Sequence, residues 1–233
     1  LICSGWPGAR PLETVDGIEV TRVAGRHTFA LAARGAVRRA IAREAPDVVV
    51  EDINKLPLFL AGLTDRPFCG LVLYLFGTTA FREAPWPMAA AVWLAERPIP
   101  WGYRRAEFQA ISESTRDDLI ERGVAAERIR VIHPGVDPVV FCPDPAVGRS
   151  SPPSFLYVGR LKRYKGVDLA IRALALARRK RPGLSLDIAG TGDDRPRLEA
   201  IASRLGQGEA VRFHGFVSET RKLALLRSTW GNL

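Results

Sequence analysis

From residue 154 to residue 227, short apolar runs alternate three times with longer segments of helical spacing, an order that few chain plans accommodate. The runs 154–158, 184–189 and 210–214 have strand length, and 166–180, 196–205 and 219–227 have helix length. In 196–205, Leu198, Ile201, Ala202 and Leu205 recur at three-four spacing, which predicts one buried helix face. A strand, a helix and another strand in register require parallel neighbours joined by a crossover, with helices covering the sheet. The expected class is α/β.

The first half repeats the plan less regularly. Residues 1–5 read as the tail of a strand entering a loop, and 17–23 alternate with period two as a half-exposed strand does. Residues 30–44 suit a helix that stops before Pro46. The run 47–51 reads as a strand buried on both faces. Apolar runs follow at 68–76, broken by Gly77-Thr78-Thr79, and at 87–101, partly helical with three prolines. A strand at 108–111 leads to a helix capped by Ser112 or Ser114, with Glu113, Asp117 and Asp118 near its start and Gly123 at its end. A further strand covers 129–132. Between 134 and 153, six prolines, two glycines and Ser150-Ser151 mark the best linker. The expected organisation is a partial domain over 1–138, a linker over 139–153 and a partial domain over 154–233. The chain opens inside a hydrophobic strand without a Met and stops before the second sheet reaches ordinary size, so a fragment lacking both ends is expected.

Composition excludes several classes. Hydrophobic residues make up 47% and charged residues 25%, a globular balance. No apolar run reaches the ~20 residues that span a bilayer, and there is no secretory leader pattern. Cys3, Cys69 and Cys142 form neither a disulfide framework nor a zinc pattern. A cytoplasmic protein is the plain reading. The net charge of +9 is unevenly placed: 151–233 hold 16 Lys+Arg against 7 Asp+Glu, whereas 1–150 hold 18 of each. That asymmetry predicts an anionic partner for the second segment, or an acidic portion elsewhere that balances it. A basic surface also suits peripheral contact with an anionic membrane.

In open parallel sheets, ligands bind beyond the carboxyl ends of the strands. The loop there after the run 154–158 places Arg160, Lys162, Arg163 and Lys165 within six residues, directly before a helix. A helix start already carries partial positive charge, so cations there call for an anion, and a phosphate would resolve the conflict. Charge alone admits either a phosphate site, with Arg160 and Lys165 as its main holders, or a solvated basic loop. Ala189-Gly190-Thr191-Gly192-Asp193 has glycines that suit either backbone approach to a ligand or a plain turn, with Asp193 and Asp194 placed to cap the next helix. The junction 213–217 offers backbone groups to a base, or is simply a strand end. His27, His133 and His214 are isolated, no cluster has metal-ligand spacing, and G-x-S-x-G, phosphate-loop and D-x-D motifs are absent.

The blocks Phe155-Leu156-Tyr157-Val158-Gly159-Arg160-Leu161 and Lys165-Gly166-Val167-Asp168 strongly resemble the donor-site segment of family 4 (group 1) retaining glycosyltransferases. The resemblance continues through Ile188-Ala189-Gly190-Thr191-Gly192 and Val211-Arg212-Phe213-His214-Gly215-Phe216-Val217. Upstream it takes in Ile111-Ser112-Glu113-Ser114-Thr115 and Val131-Ile132-His133-Pro134-Gly135-Val136-Asp137. These blocks stand in family order and cover most of the chain from Glu107 onward.

The resemblance implies a GT-B architecture, two Rossmann-like domains facing across a cleft, with the sugar nucleotide mainly on the second. It implies that Arg160 and Lys165 hold the donor diphosphate and act in catalysis. It places Gly159, Gly190, Gly192 and the backbone near Phe216 and Val217 around the donor. The implied reaction is hexosyl transfer to an acceptor hydroxyl (lipid-linked, polysaccharide or small-molecule) with retention, without a metal and without a cofactor beyond the donor. No nucleic acid is expected. Three departures stand out. The family's glycine-rich loop would precede Leu1, its pair of glutamates would follow Leu233, and the histidine many relatives carry after the strand leading to Leu73-Tyr74 has no counterpart here. The 233 residues alone are therefore expected to be inactive. Competing readings are a basic protein binding nucleic acid or anionic lipid, and another GT-B enzyme such as a sugar-nucleotide epimerase or phosphorylase.

Overall fold

A computed structural model describes residues 1–54 and 56–233, which divide into two compact units, Leu1–Gly135 and Val136–Leu233. The first opens with β1 (Ile2–Gly5), β2 (Leu12–Val15) and β3 (Ile18–Gly25), a sheet in the order β1-β3-β2. β1 and β3 run parallel, whereas β2 and β3 form an antiparallel hairpin with Val15 opposite Ile18. Asp16 and Gly17 turn it with φ of 51° and 80°. Positive φ at both central residues gives the turn whose hand matches strand twist, and Asp-Gly is a preferred pair for it. Helix α1 (Phe29–Glu44) follows and ends at Ala45 in the left-handed conformation, just before Pro46.

A second sheet, parallel throughout, has the order β4 (Val49–Asp52), β5 (Phe68–Val72), β6 (Glu107–Ala110), β7 (Ile129–Val131). Helices α2 (Ala80–Glu83), α3 (Trp86–Glu96) and α4 (Ile99–Gly102) lie between β5 and β6, and α5 (Glu113–Glu121) lies between β6 and β7. Ser112 caps α5 by accepting from the Thr115 N–H at 3.2 Å, and Gly123 turns the chain away at φ 98°. Ile53, Phe68, Val72, Phe108 and Leu119 close the core around Tyr103. The Tyr103 ring centroid lies 5.1 Å from that of Phe59, 5.9 Å from Phe68 and 6.1 Å from Phe108.

Two local expectations change. The strand read over 47–51 is not buried on both faces: β4 is an edge strand, and it alternates, with Val49 and Glu51 inward and Val50 exposed. The run 68–76 is a strand only to Val72, whose register partner, Ala110, is the last residue of β6. Beyond that point the ladder has no neighbour. The Phe76 and Gly77 N–H groups donate instead to the buried Glu96 carboxylate, at 2.7 and 2.8 Å.

The second unit carries one parallel sheet in the order β10 (Val211–Gly215), β9 (Ser185–Ala189), β8 (Ser154–Val158), β11 (Gly231–Asn232). Helices α6 (Val167–Arg178) and α7 (Arg195–Arg204) pack through Ile171, Leu174, Leu198, Ile201 and Ala202 onto Leu186 and Ile188. On the opposite face, α8 (Glu219–Ser228) sets Leu225 against Leu156 and Ala189, as strand alternation requires. Leu205, the fourth apolar position expected along α7, lies just past its end and is exposed. Residues 139–153 hold no regular element and are tied to the second unit. Ser150 N–H donates to Ser228 O at 2.7 Å, Arg149 to Thr229 O at 2.9 Å, and Arg227 to Cys142 O at 3.1 Å. The α/β class with parallel sheets is as expected.

Candidate functional site

Bonding between β8 and β9 continues past their carboxyl ends into the loops. Gly159 N–H donates to Ala189 O at 3.0 Å, Leu161 N–H to Thr191 O at 2.9 Å, and Asp194 N–H to Leu161 O at 3.2 Å. On the other side, Gly190 N–H donates to Gly215 O at 2.7 Å. Three loops at the carboxyl edge of the sheet are thus laced together, and this closeness accounts for two glycines. A Cβ added at Gly190 would lie 1.9 Å from Gly159 O, and one at Gly192 would lie 2.0 Å from Leu161 O. Read from sequence as ligand approach or a turn, these glycines meet the backbone of the neighbouring loop.

Arg160, Lys165 and Gly159 share a cavity of about 580 Å³ with Gly166 and Val167, at the start of α6. Tyr164 brings the two cations together: Arg160 Nη2 donates to its hydroxyl at 3.4 Å, and Lys165 Nζ sits 5.3 Å from its ring centroid. Both cations are exposed, and neither has an acidic partner among the described residues. The acids nearby are engaged elsewhere. Asp193 accepts from Lys162 at 2.8 Å, which holds its carboxyl below the ordinary range. Asp168, in the first turn of α6, lies 3.4 Å from Arg197. The field at this helix start therefore stays positive, which suits an anionic ligand.

Sequence reasoning missed two supports of the site. The buried Tyr157 donates its hydroxyl to Arg160 O at 3.1 Å, which pins the loop from below. Asp194, expected to cap α7, makes no side-chain cap bond. Both of its oxygens are taken by Arg197, at 2.6 and 2.7 Å. Asp194 and Arg197 stand at i,i+3, a spacing at which helix side chains meet, whereas the Tyr157 bond depends on how the loop folds back.

Phe216 and Val217 part ways. Phe216 is 86% exposed, whereas Val217 packs against Leu156, Ala189 and Leu225. Just before them, buried Asp187 on β9 accepts two bonds from Arg212, at 2.8 and 2.7 Å, and stands 2.7 Å from His214 Nε2. Burial works against that carboxylate's charge, but the bonds from Arg212 and His214 outweigh it and lower its pKa. His214 is thus paired within the strand ladder. His133 Nδ1 lies 3.1 Å from Ile111 O. Among the described residues, no group of three His, Cys, Asp or Glu is placed to hold a metal ion.

Two family profiles match the chain. The profile described as Glycosyltransferase Family 4 matches residues 1–140, and that described as Glycosyl transferases group 1 matches residues 145–230. A glycogen synthase of Mycobacterium tuberculosis is 34% identical over 169 residues, covering 72% of this chain and 40% of that protein. The chain thus spans about two fifths of that relative's length. Among solved structures, sucrose-phosphate synthase from Thermosynechococcus elongatus superposes with a TM-score of 0.70 at 17% identity, covering 96% of this chain and 61% of that one. Anabaena Alr3699/HepE in complex with UDP-glucose gives 0.63 at 18% identity, covering 91% and 59%. These two share its fold. With a family profile matching more than half of its residues, the chain belongs to glycosyltransferase family 4.

Proposed function

We infer that the protein to which these residues belong moves a hexosyl group from a nucleotide-diphosphate sugar to an acceptor hydroxyl, with the donor held by the second unit. One observation carries this reading: Arg160 and Lys165, with no acidic partner among the described residues, meet around Tyr164 at the start of α6 beside a cavity of about 580 Å³. A diphosphate there would accept charge-assisted hydrogen bonds from both side chains and from the helix start. As the bond from the anomeric carbon to the diphosphate breaks, negative charge grows on the leaving group. The two cations stabilise that charge electrostatically. They speed the reaction to the extent that they hold it better in the transition state than in the bound donor. Retention of configuration and independence from metal belong to the same reading, with the cations in the role a divalent ion plays elsewhere. The UDP-glucose complex of the Anabaena structure supports a sugar-nucleotide donor. Gly190 and Gly192 act by holding the donor loop in place, and Phe216 presents an open ring and backbone toward the base. Residues 1–233 are expected to bind donor without completing transfer.

Isothermal titration of the chain with UDP, GDP and UDP-glucose tests this reading. Saturable heat with at least one of them is expected, and a roughly tenfold weaker affinity in a Lys165→Gln variant that melts like the parent supports the site. A folded chain that binds none of the three overturns it.

A further inference from the structure

A pair of cations meant for a diphosphate meets two conflicting demands: the side chains must be held together, and they must keep their charge. Long Arg and Lys side chains lose rotamer freedom when fixed, and two like charges push apart. A carboxylate is the ordinary holder, but it cancels the charge that a phosphate would meet. Around this loop carboxylates do hold other cations: Asp193 holds Lys162 at 2.8 Å, and Asp194 and Asp168 hold Arg197 at 2.6 and 3.4 Å. Arg160 and Lys165 have a phenol instead. Tyr164 is the middle residue of the single turn Arg163–Lys165 and is 41% exposed. Its oxygen accepts from Arg160 Nη2 at 3.4 Å, and Lys165 Nζ stands over its ring, 5.3 Å from the centroid. Tyr157 holds the Arg160 carbonyl from below at 3.1 Å, so Arg160 is held at both its backbone and its guanidinium.

We propose, on the donor-site reading above, that Tyr164 is a positioning residue which makes this site select a nucleoside diphosphate over the monophosphate. A phenol is uncharged at neutral pH, so it draws on both cations through its oxygen and its ring face while leaving their charge intact. A carboxylate in the same place would bind one cation firmly and oppose the incoming anion. An oxygen that accepts one hydrogen bond still carries a hydrogen to donate, which adds a neutral donor beside the two charged ones. The selectivity follows from number. One phosphate is satisfied by whichever cation reaches it, so parting the cations weakens its binding little. Two linked phosphates need both cations at once, and a pair that splays apart must be brought back against its own repulsion when the ligand arrives.

Calorimetric titration of the 233-residue chain with UDP, UMP, GDP and GMP provides the test. Tyr164→Phe keeps the ring and removes the hydroxyl, and is expected to weaken diphosphate binding about threefold. Tyr164→Leu removes both contacts and is expected to weaken it about tenfold, with monophosphate affinity within about twofold of the parent's. Tyr164→Glu is expected to lose more than the leucine variant. In a Lys165→Gln background the leucine substitution is expected to cost only about threefold, since one of its two contacts is already gone. Parent-like diphosphate affinity in the leucine variant overturns the proposal. So do an equal loss for mono- and diphosphate, full additivity with Lys165→Gln, and a glutamate variant that binds diphosphate as the parent does. Should the leucine variant melt below the parent, an unchanged preference for diphosphate in the phenylalanine variant overturns it. A parent that binds neither diphosphate sinks the donor reading and the role of Tyr164 together. Binding weakened by Lys165→Gln but untouched by Tyr164→Leu removes the role of Tyr164 alone.

Discussion

Replacing Gly192 with alanine tests whether the laced loops form one mechanical unit. The added Cβ would stand 2.0 Å from Leu161 O and 2.5 Å from Leu161 C, both backbone atoms that no side-chain rotation can remove. Even a separation of 3.0 Å requires the carbonyl to retreat by about 1 Å, and overpacking of this kind costs about 1–3 kcal/mol. The retreat strains two hydrogen bonds, Leu161 N–H to Thr191 O and Asp194 N–H to Leu161 O, each worth about 0.5–1.5 kcal/mol net. A total of about 2–6 kcal/mol in a unit spanning 136–233 lowers the melting temperature on the order of 10 °C or more. Because Arg160 sits between Gly159 and Leu161, nucleotide affinity is expected to fall in the same variant. Scanning calorimetry and titration with UDP and GDP measure both effects. Gly208→Ala is the control: nothing lies within 4 Å of its added Cβ, so a change within about 0.5 kcal/mol is expected. A Gly192→Ala protein that melts within about 2 °C of the parent and binds nucleotide as the parent does would refute the lacing.

Three further outcomes are expected. Arg160→Gln and Lys165→Gln each weaken nucleotide-diphosphate binding by roughly tenfold without moving the melting temperature, since both side chains are exposed; calorimetric titration reads the first effect and a thermal scan the second. Tyr103→Phe removes a hydroxyl that donates to Glu51 at 2.6 Å and accepts from Phe59 N–H at 2.8 Å, so urea unfolding is expected to show a loss of about 1–3 kcal/mol. Asp187→Asn loses the Arg212 pair and with it a pH dependence. The folded-state pKa of Asp187 is lowered, so its contribution is complete above the unfolded value of ~3.9 and fades as pH falls through the folded value. The melting difference between parent and variant is therefore expected to be full above about pH 5 and to shrink as pH falls below the unfolded value of ~3.9.

The legible parts of this fold were those written in local spacing. The second unit is the clearest case: the strand read over 154–158 is β8 (Ser154–Val158) residue for residue, and the later helices and strands fall within two residues of their expected ends. Each is a short apolar run or a three-four stripe whose burial is decided by its own residues. The hairpin of β2 and β3 turns on Asp16-Gly17, but residues 12–15 hold only two apolar side chains, three apart, and so carry no period-two signal. The cationic loop was legible because four like charges ahead of a helix conflict with its field. What holds it was not: Tyr157 reaches Arg160 only because the loop folds back. Glu51 and Tyr103 meet across 52 residues of sequence, a distance over which spacing carries no signal. The glycines at 190 and 192 were seen, yet what crowds them became visible only when two loops stood side by side.

Glu51 and Glu96 give the first unit a property that its loop content would not suggest. Each is buried, and each captures a pair of amides just beyond regular structure, Leu58 and Leu60 in one case and Phe76 and Gly77 in the other. In most connecting segments such amides turn to water, and thermal motion follows. Here a carboxylate has replaced the solvent as partner, so irregular chain beyond β4 and β5 is anchored from inside. Whatever docks at these rims meets a surface already set in shape, and the entropy of ordering it was spent when the protein folded.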